Sequence, residues 1–326
     1  RHMSWSLEFG ERFSQRLHQI LSPFRDPRLR GSAEQRVQNF LKLNDVTVVL
    51  AEFGQNGSRM RLVCKQAKIP LYVYFHGSDA TKVARKNRWQ RYYRQLFRDA
   101  TGIIVPSGFL ADRLRKLGCP ENKLHVSPHG IDPKKFEEST RESGKLIAIG
   151  RLVEKKAPHF SIRAFAAVHR QRPDCTLDIV GDGPLRAICI EEINRLGLSE
   201  SVRLHGAQTP EYIKGLLKHA ALFLQHSVTA HDGNMESFGI SLIEAMASGL
   251  PVVTTDHNGF SETVIHGETG FLVEEHDVEG MAAIILALLK DPDQAMRLGR
   301  AGRTRVEEEF TSERAVARLR IIMGLS

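Results

Sequence analysis

The chain has 326 residues, 41% hydrophobic and 26% charged, with a formal net charge of +8. That length favours two domains, and the composition is that of a globular protein rather than a disordered or fibrous one. No apolar run reaches the ~20 residues of a membrane span, and no signal peptide is recognisable. Cys64, Cys119, Cys175 and Cys189 are scattered without the spacing of a zinc site or a disulfide framework, so a cytoplasmic protein is expected.

Charge divides unevenly along the chain. Residues 1–140 carry 25 Lys or Arg against 13 Asp or Glu, a balance of +12. Residues 141–326 carry 21 against 25, a balance of −4, as two domains with different partners would. In chain order, residues 4–44 show neither a strand pattern nor a Gly-rich loop. Short β-branched runs then predict strands over 45–53, 71–75, 102–107 and 124–128, with an amphipathic helix over 81–99. The Pro- and Gly-bearing stretch 128–145 breaks the pattern. Beyond it, strands over 145–150, 176–181, 202–206, 221–225, 251–255 and 270–273 alternate with helices over 158–171, 184–196, 238–248 and 277–290. Thr311 or Ser312 caps a terminal helix over 311–326.

Continuous apolar strands separated by helices predict parallel sheets covered on both faces. The expected fold is α/β, two Rossmann-like doubly wound domains facing across a cleft, the N-terminal one short or truncated. The division is placed at 1–138 and 139–310, with the terminal helix returning to the first domain. Ligands of open parallel sheets sit at the carboxyl ends of the strands. The informative loops are therefore those at His76-Gly77, Gly150-Arg151, Gly181–Gly183 and 226–239.

The segment "MESFGISLIEAMASG" (235–249) sets Glu236 before a helix start and Glu244 inside it. The N–H groups near Phe238, Gly239 and Ile240 lie at the positive end of that helix and suit phosphate, with Gly239 permitting close approach. Two carboxylates cannot serve phosphate. At ~1.5 Å per residue, eight helical residues separate them by about 12 Å. That exceeds the roughly 5–9.5 Å of a hydrolytic pair, and it suits hydroxyl groups at the two ends of a nucleotide sugar. "GRLVEKKAP" (150–158) adds Arg151 and Lys156 as cations for a diphosphate. Lys155 is read as solvated surface and given no role.

Together these residues resemble the retaining glycosyltransferases of family four, which have the GT-B architecture. The match rests on Glu236 and Glu244 as the E-x7-E motif, "GRLVEKK", "DIVGDGPLR" (178–186), "ASGLPVVTT" (247–255), "HGETGFLV" (266–273) and "HGSD" (76–79). The stretch 227–239 is similar to the exopolysaccharide-building branch. The resemblance implies that Glu236 bonds the donor hexose and Glu244 the ribose. It gives Arg151 and Lys156 the diphosphate, with backbone contacts from Phe238, Gly239 and Ile240, and sets His76 over the sugar. It implies hexose transfer from a nucleotide diphosphate sugar, UDP favoured over GDP, to a glycan or lipid-diphosphate-linked acceptor, with no metal, no cofactor and no protein nucleophile. The chain departs from the family pattern at Ala157-Pro158 after the clamp, at His226-Ser227, and at its front end. That last departure motivates a second expectation, a non-catalytic binding subunit; a nucleotide-sugar epimerase is a third.

Two features stand outside these motifs. Gly181 and Gly183 read as a tight strand-to-helix turn, with Asp182 structural. The helix 81–99 carries Lys82, Arg85, Lys86, Arg88, Arg91, Arg94 and Arg98 among Trp89, Tyr92, Tyr93 and Phe97. It reads either as a solvated face over buried aromatics or as a surface for an anionic membrane at the inner leaflet. No nucleic-acid motif accompanies the charge.

Overall fold

The computed structural model describes residues 32–325, so the expectation for residues 4–31 lies outside the described residues. Helix α1 (Ala33–Leu43) is capped by Ser32, whose hydroxyl accepts from Gln35 N. There follow β1 (Val49–Glu52), α2 (Gly54–Ala67), β2 (Leu71–Tyr74), α3 (Asn87–Asp99), β3 (Gly102–Val105), α4 (Gly108–Lys116) and β4 (Leu124–Val126). They build a parallel four-stranded sheet in the order β1-β2-β3-β4. Every residue of β2 and β3 is buried, which is why these strands read as unbroken apolar runs. The helix expected over 81–99 is shorter. A 3-10 turn, Val83–Arg85, ends at Lys86, whose extended backbone interrupts the spiral before α3.

The second series comprises β5 (Lys145–Ile149), α5 (Pro158–Gln171), β6 (Thr176–Val180), α6 (Arg186–Arg195), β7 (Val202–Gly206), α7 (Pro210–His219), β8 (Leu222–Gln225) and α8 (Ile240–Ala247). It continues through β9 (Val252–Thr255), α9 (Phe260–Thr263), β10 (Gly270–Val273), α10 (Val278–Lys290) and α11 (Pro292–Glu309). Its six parallel strands run β10-β9-β8-β5-β6-β7. One face packs Leu146, Leu177 and Leu224 against Phe165 and Ile285; the other packs Ile147 and Phe223 against Leu242 and Met246. Ile131 and Phe136 already join that second core, ahead of its first strand. The strand order reverses between β5 and β8, so the loops after these two strands flank a switch-point crevice.

The last helix, α12 (Ser312–Met323), leaves the second unit. Thr311 caps it, and Leu319, Ile322 and Met323 pack on Tyr72, Tyr74 and Ile104 of the first sheet. The two chain crossings between the units touch. Ile131 N donates to Phe310 O at 2.9 Å, and Ser312 N donates to Ile131 O at 2.8 Å.

The units also meet at their strand ends. Ser237 Oγ donates to His76 O at 2.7 Å. The Glu262 carboxylate accepts from Gly108 N and Phe109 N, at 2.7 and 2.8 Å, on the first turn of α4. Lys82 pairs with Asp232 at 2.6 Å.

Candidate functional site

The crevice between β5 and β8 gathers the charged residues. Gly150 and Arg151 follow β5, and Lys156 ends a short 3-10 turn, Glu154–Lys156. The loop from β6 comes so close that a Cβ on Gly181, whose φ is +137°, would sit 2.0 Å from Gly150 O. That contact explains the Gly-x-Gly turn structurally. A water-sized pocket of about 20 Å³ opens here, lined by Gly150, Arg151, Lys156 and Gln225 among others. Arg151 is exposed, and its guanidinium has no partner among the described residues.

Glu236 is buried at 8% exposure, on the loop after β8. One carboxylate oxygen contacts Lys155 Nζ, and the other contacts Lys156 Nζ at 2.8 Å. Lys156 Nζ also donates to Gln225 Oε1 at 3.2 Å, and Lys155 Nζ to Met235 O at 3.4 Å. Burial alone would raise the Glu236 carboxyl. The two ammonium groups outweigh it and hold the carboxyl well below the usual carboxylate range. From behind, His257 Nε2 accepts from Glu236 N at 3.1 Å, while His257 Nδ1 is held by Glu275.

Lys155, given no role from the sequence, is therefore a direct partner of Glu236. A second correction concerns spacing. Helix α8 starts at Ile240, so Glu236 lies outside it and the 12 Å helical rise does not describe the separation.

Helix α8 opens on Gly239 with φ +83°, where a Cβ would meet Phe260 at 2.7 Å and Leu242 at 2.8 Å. Among the described residues, no protein group accepts from the N–H groups of Phe238, Gly239 and Ile240. Glu244, one turn into α8, is half-buried, and its carboxylate has no hydrogen-bond partner among the described residues. Burial raises its pKa to about 7, against the weaker pull of Lys156 and Lys214.

Across the cleft, His76 follows β2. Asp79, fully buried, accepts from the N–H groups of Gly54, His76, Gly77 and Ala80, which fixes the His76 loop. The His76 ring stacks on Tyr74 at 4.7 Å and on His129 at 5.4 Å, and its Nε2 contacts the Glu52 carboxylate. Burial, with His76 adding to it, lowers the His129 pKa to about 3, so this ring is neutral. The structure thus gathers Arg151, Lys156, Glu236 and the start of α8 around the switch-point crevice, with Glu244 on the first turns of that helix. His76 reaches the group through Ser237.

Residues 131–305 match the family described as "Glycosyl transferases group 1", and residues 4–135 match "Glycosyltransferase Family 4". The chain belongs to the group 1 glycosyltransferases. The amylovoran biosynthesis glycosyltransferase AmsK of Erwinia amylovora is 33% identical over 253 residues, which is 76% of this chain and 62% of that protein. WcaL of Escherichia coli (strain K12), whose name assigns it to colanic acid biosynthesis, is 32% identical over 82% of this chain and 67% of its own length. The chain therefore spans about two thirds of these relatives. Among solved structures, Anabaena Alr3699/HepE in complex with UDP superposes with a TM-score of 0.78 at 21% identity, covering 89% of this chain and 81% of that one. Its complex with UDP-glucose gives 0.76 at 22%, covering 89% and 80%. This likeness establishes the GT-B fold for this glycosyltransferase.

Several site residues of this group 1 glycosyltransferase escape sequence reasoning. Asp79 carries a local signal, an Asp three places after a strand-end His, which is a turn-forming spacing. Glu52 ends its strand and His76 lies just past the end of the next, so the strand-end rule that selected His76 also reaches Glu52. Gln225 ends β8, so the same rule reaches it, whereas His257 and Glu275 carry no local signal and only the tertiary fold brings them to Glu236.

Proposed function

We propose that this chain transfers a hexose from a nucleotide diphosphate sugar, a UDP-sugar ahead of a GDP-sugar, to a glycan or lipid-linked acceptor during exopolysaccharide assembly. One observation carries the reading: the switch-point crevice holds a fully paired Glu236 beside an unpartnered Arg151, an unpartnered Glu244 and the open N–H groups of α8. Cations and free N–H groups suit a diphosphate, and a lone carboxylate suits a diol. The amylovoran and colanic acid names of two relatives, and the UDP and UDP-glucose held by the Anabaena protein, support the choice.

In this reading Arg151 and Lys156 hold the diphosphate with the N–H groups of Phe238, Gly239 and Ile240. Glu244 accepts from the ribose hydroxyls, Glu236 accepts from a hexose hydroxyl, and His76 orients the sugar. The bond from the anomeric carbon to the phosphate oxygen breaks as the acceptor oxygen attacks the same face. The acceptor proton passes to the leaving phosphate, so configuration is retained without a protein nucleophile. The cationic side chains stabilise the developing charge, so the reaction is proposed to be metal-independent.

The exposed face of α3, with Arg88, Arg91, Arg94 and Arg98, is proposed to rest reversibly on the anionic inner leaflet while Tyr93, Leu96 and Phe97 stay in the core. A thermal-shift panel of nucleotide sugars tests the donor. A ligand at 100 times its Kd adds roughly 2.7 kcal/mol, and Glu244→Ala is expected to remove most of the shift. An unchanged shift in that variant refutes the ribose contact, and no shift with any nucleotide refutes the donor reading.

A further inference from the structure

The Glu236 carboxylate has two lysines where one would satisfy it, and the two are held differently. Lys156 lays its stem over Gly150, with Cδ 3.3 Å from where a Cβ would stand, beside the free Arg151. It faces the place proposed for the diphosphate. Lys155 points the other way. Its ammonium bridges Glu236 and Met235 O, and its backbone carbonyl accepts from Val228 N at 3.0 Å. It is tied at both ends to the loop that carries Glu236.

Charge balance gives this division a purpose. Arg151, Lys155 and Lys156 contribute three positive charges and Glu236 one negative. The diphosphate of a nucleotide sugar brings two more negatives, which closes the balance. Without Lys155, Lys156 would have to serve Glu236 and the diphosphate together, leaving one buried negative charge uncompensated. His257 cannot replace it. Its Nε2 accepts from Glu236 N, and its Nδ1 is engaged by Glu275.

We propose that Lys155 is a positioning residue that holds Glu236 in place as a carboxylate while Lys156 turns to the incoming diphosphate. The inference rests on the donor reading above and deepens it. Lys155 touches no substrate in this account, and its effect passes through Glu236 alone. That distinguishes it from a third phosphate-binding cation.

The test is a double-mutant cycle read by titration calorimetry, with UDP and GDP as probes. Lys155→Met is expected to weaken the preferred nucleotide about tenfold, and Lys155→Arg to keep the affinity within threefold of the parent. In the Glu236→Gln background the same Lys155→Met change is expected to cost less than threefold, because the charge it neutralises is gone. That double variant leaves Lys156 charged with Gln225 Oε1 as its remaining partner. Lys155→Gln, also neutral but able to donate to Glu236, repeats the comparison in both backgrounds if Lys155→Met alone folds poorly. An equal loss in both backgrounds would show Lys155 acting directly on phosphate and overturn the inference. So would parent-like binding by Lys155→Met. A parent protein that binds neither UDP nor GDP overturns the donor reading and this inference with it.

Discussion

The two sheets prepare their strand ends in different ways. At the end of β2 the groups are already satisfied: Asp79 collects four N–H groups, and His76 is stacked and held by Glu52. At the crevice between β5 and β8 the chain keeps groups in reserve, namely Arg151, Glu244 and the N–H groups of α8, around one heavily neutralised carboxylate. A wall can be completed in advance. A site that takes a ligand must leave partners open, and here the reserve charges, Arg151 and Glu244, differ in sign.

The largest expected effect comes from breaking the neutralised carboxylate. Glu236→Ala leaves two lysines facing each other without their anion, and removing one member of a buried pair costs about 3–5 kcal/mol. Urea denaturation is expected to show a loss of at least about 2 kcal/mol, together with loss of transfer. A variant as stable as the parent would mean that the lysines find other partners.

The reserve carboxylate predicts the opposite sign. Burial raises the folded-state pKa of Glu244 to about 7, above the ordinary glutamate range. Below about pH 4.5 both states are protonated and nothing is lost. As pH rises towards 7 the unfolded state ionises first, stability falls, and the penalty is complete above pH 7. Glu244→Gln is therefore expected to raise the melting temperature at pH 8, by an amount worth on the order of 1–2 kcal/mol, and to leave it unchanged at pH 4.5, while weakening nucleotide binding. Equal melting curves at pH 8 would show that water already satisfies the ionised carboxylate.

The smallest effect sharpens the comparison on the outer surface of the first unit. Co-sedimentation with anionic vesicles is expected at low salt and to fade as salt rises, each basic side chain near the surface contributing about 1 kcal/mol. Changing Arg85, Arg88 and Arg91 to Ser should reduce it further. The contribution of Arg85 is expected to be the least, since its guanidinium lies against Gly233 of the second unit. Protein that stays in the supernatant at low salt leaves α3 as a solvated face.

The same contrast explains what the sequence discloses. Strand runs such as 71–75 and 145–150 are legible because both faces of each sheet are buried, so apolar character needs no partner to be seen. Arg151, Lys156 and Gly239 are legible because backbone geometry places them at strand ends and at a helix start. The two lysines at 155 and 156 look alike in the sequence, and only the fold shows that they point to opposite sides of one carboxylate. The start of α8 at Ile240 rather than 238 follows from the positive φ of Gly239, which no periodicity reveals.

The paired crossings at Ile131 and Phe310–Ser312 bear on how such a chain can be recombined. A single cut near residue 130 would strand α12 on the wrong partner and leave Tyr72, Tyr74 and Ile104 without Leu319, Ile322 and Met323. A chimaera that exchanges the second unit needs two seams, one before Ile131 and one after Phe310. Those seams lie side by side in space, joined by two backbone hydrogen bonds of 2.9 and 2.8 Å. A graft of residues 131–310 therefore cuts the backbone at a single place in space, the strand-end contacts of Ser237, Glu262 and Asp232 being the other points it must match, and the recipient keeps its own terminal helix against its own sheet.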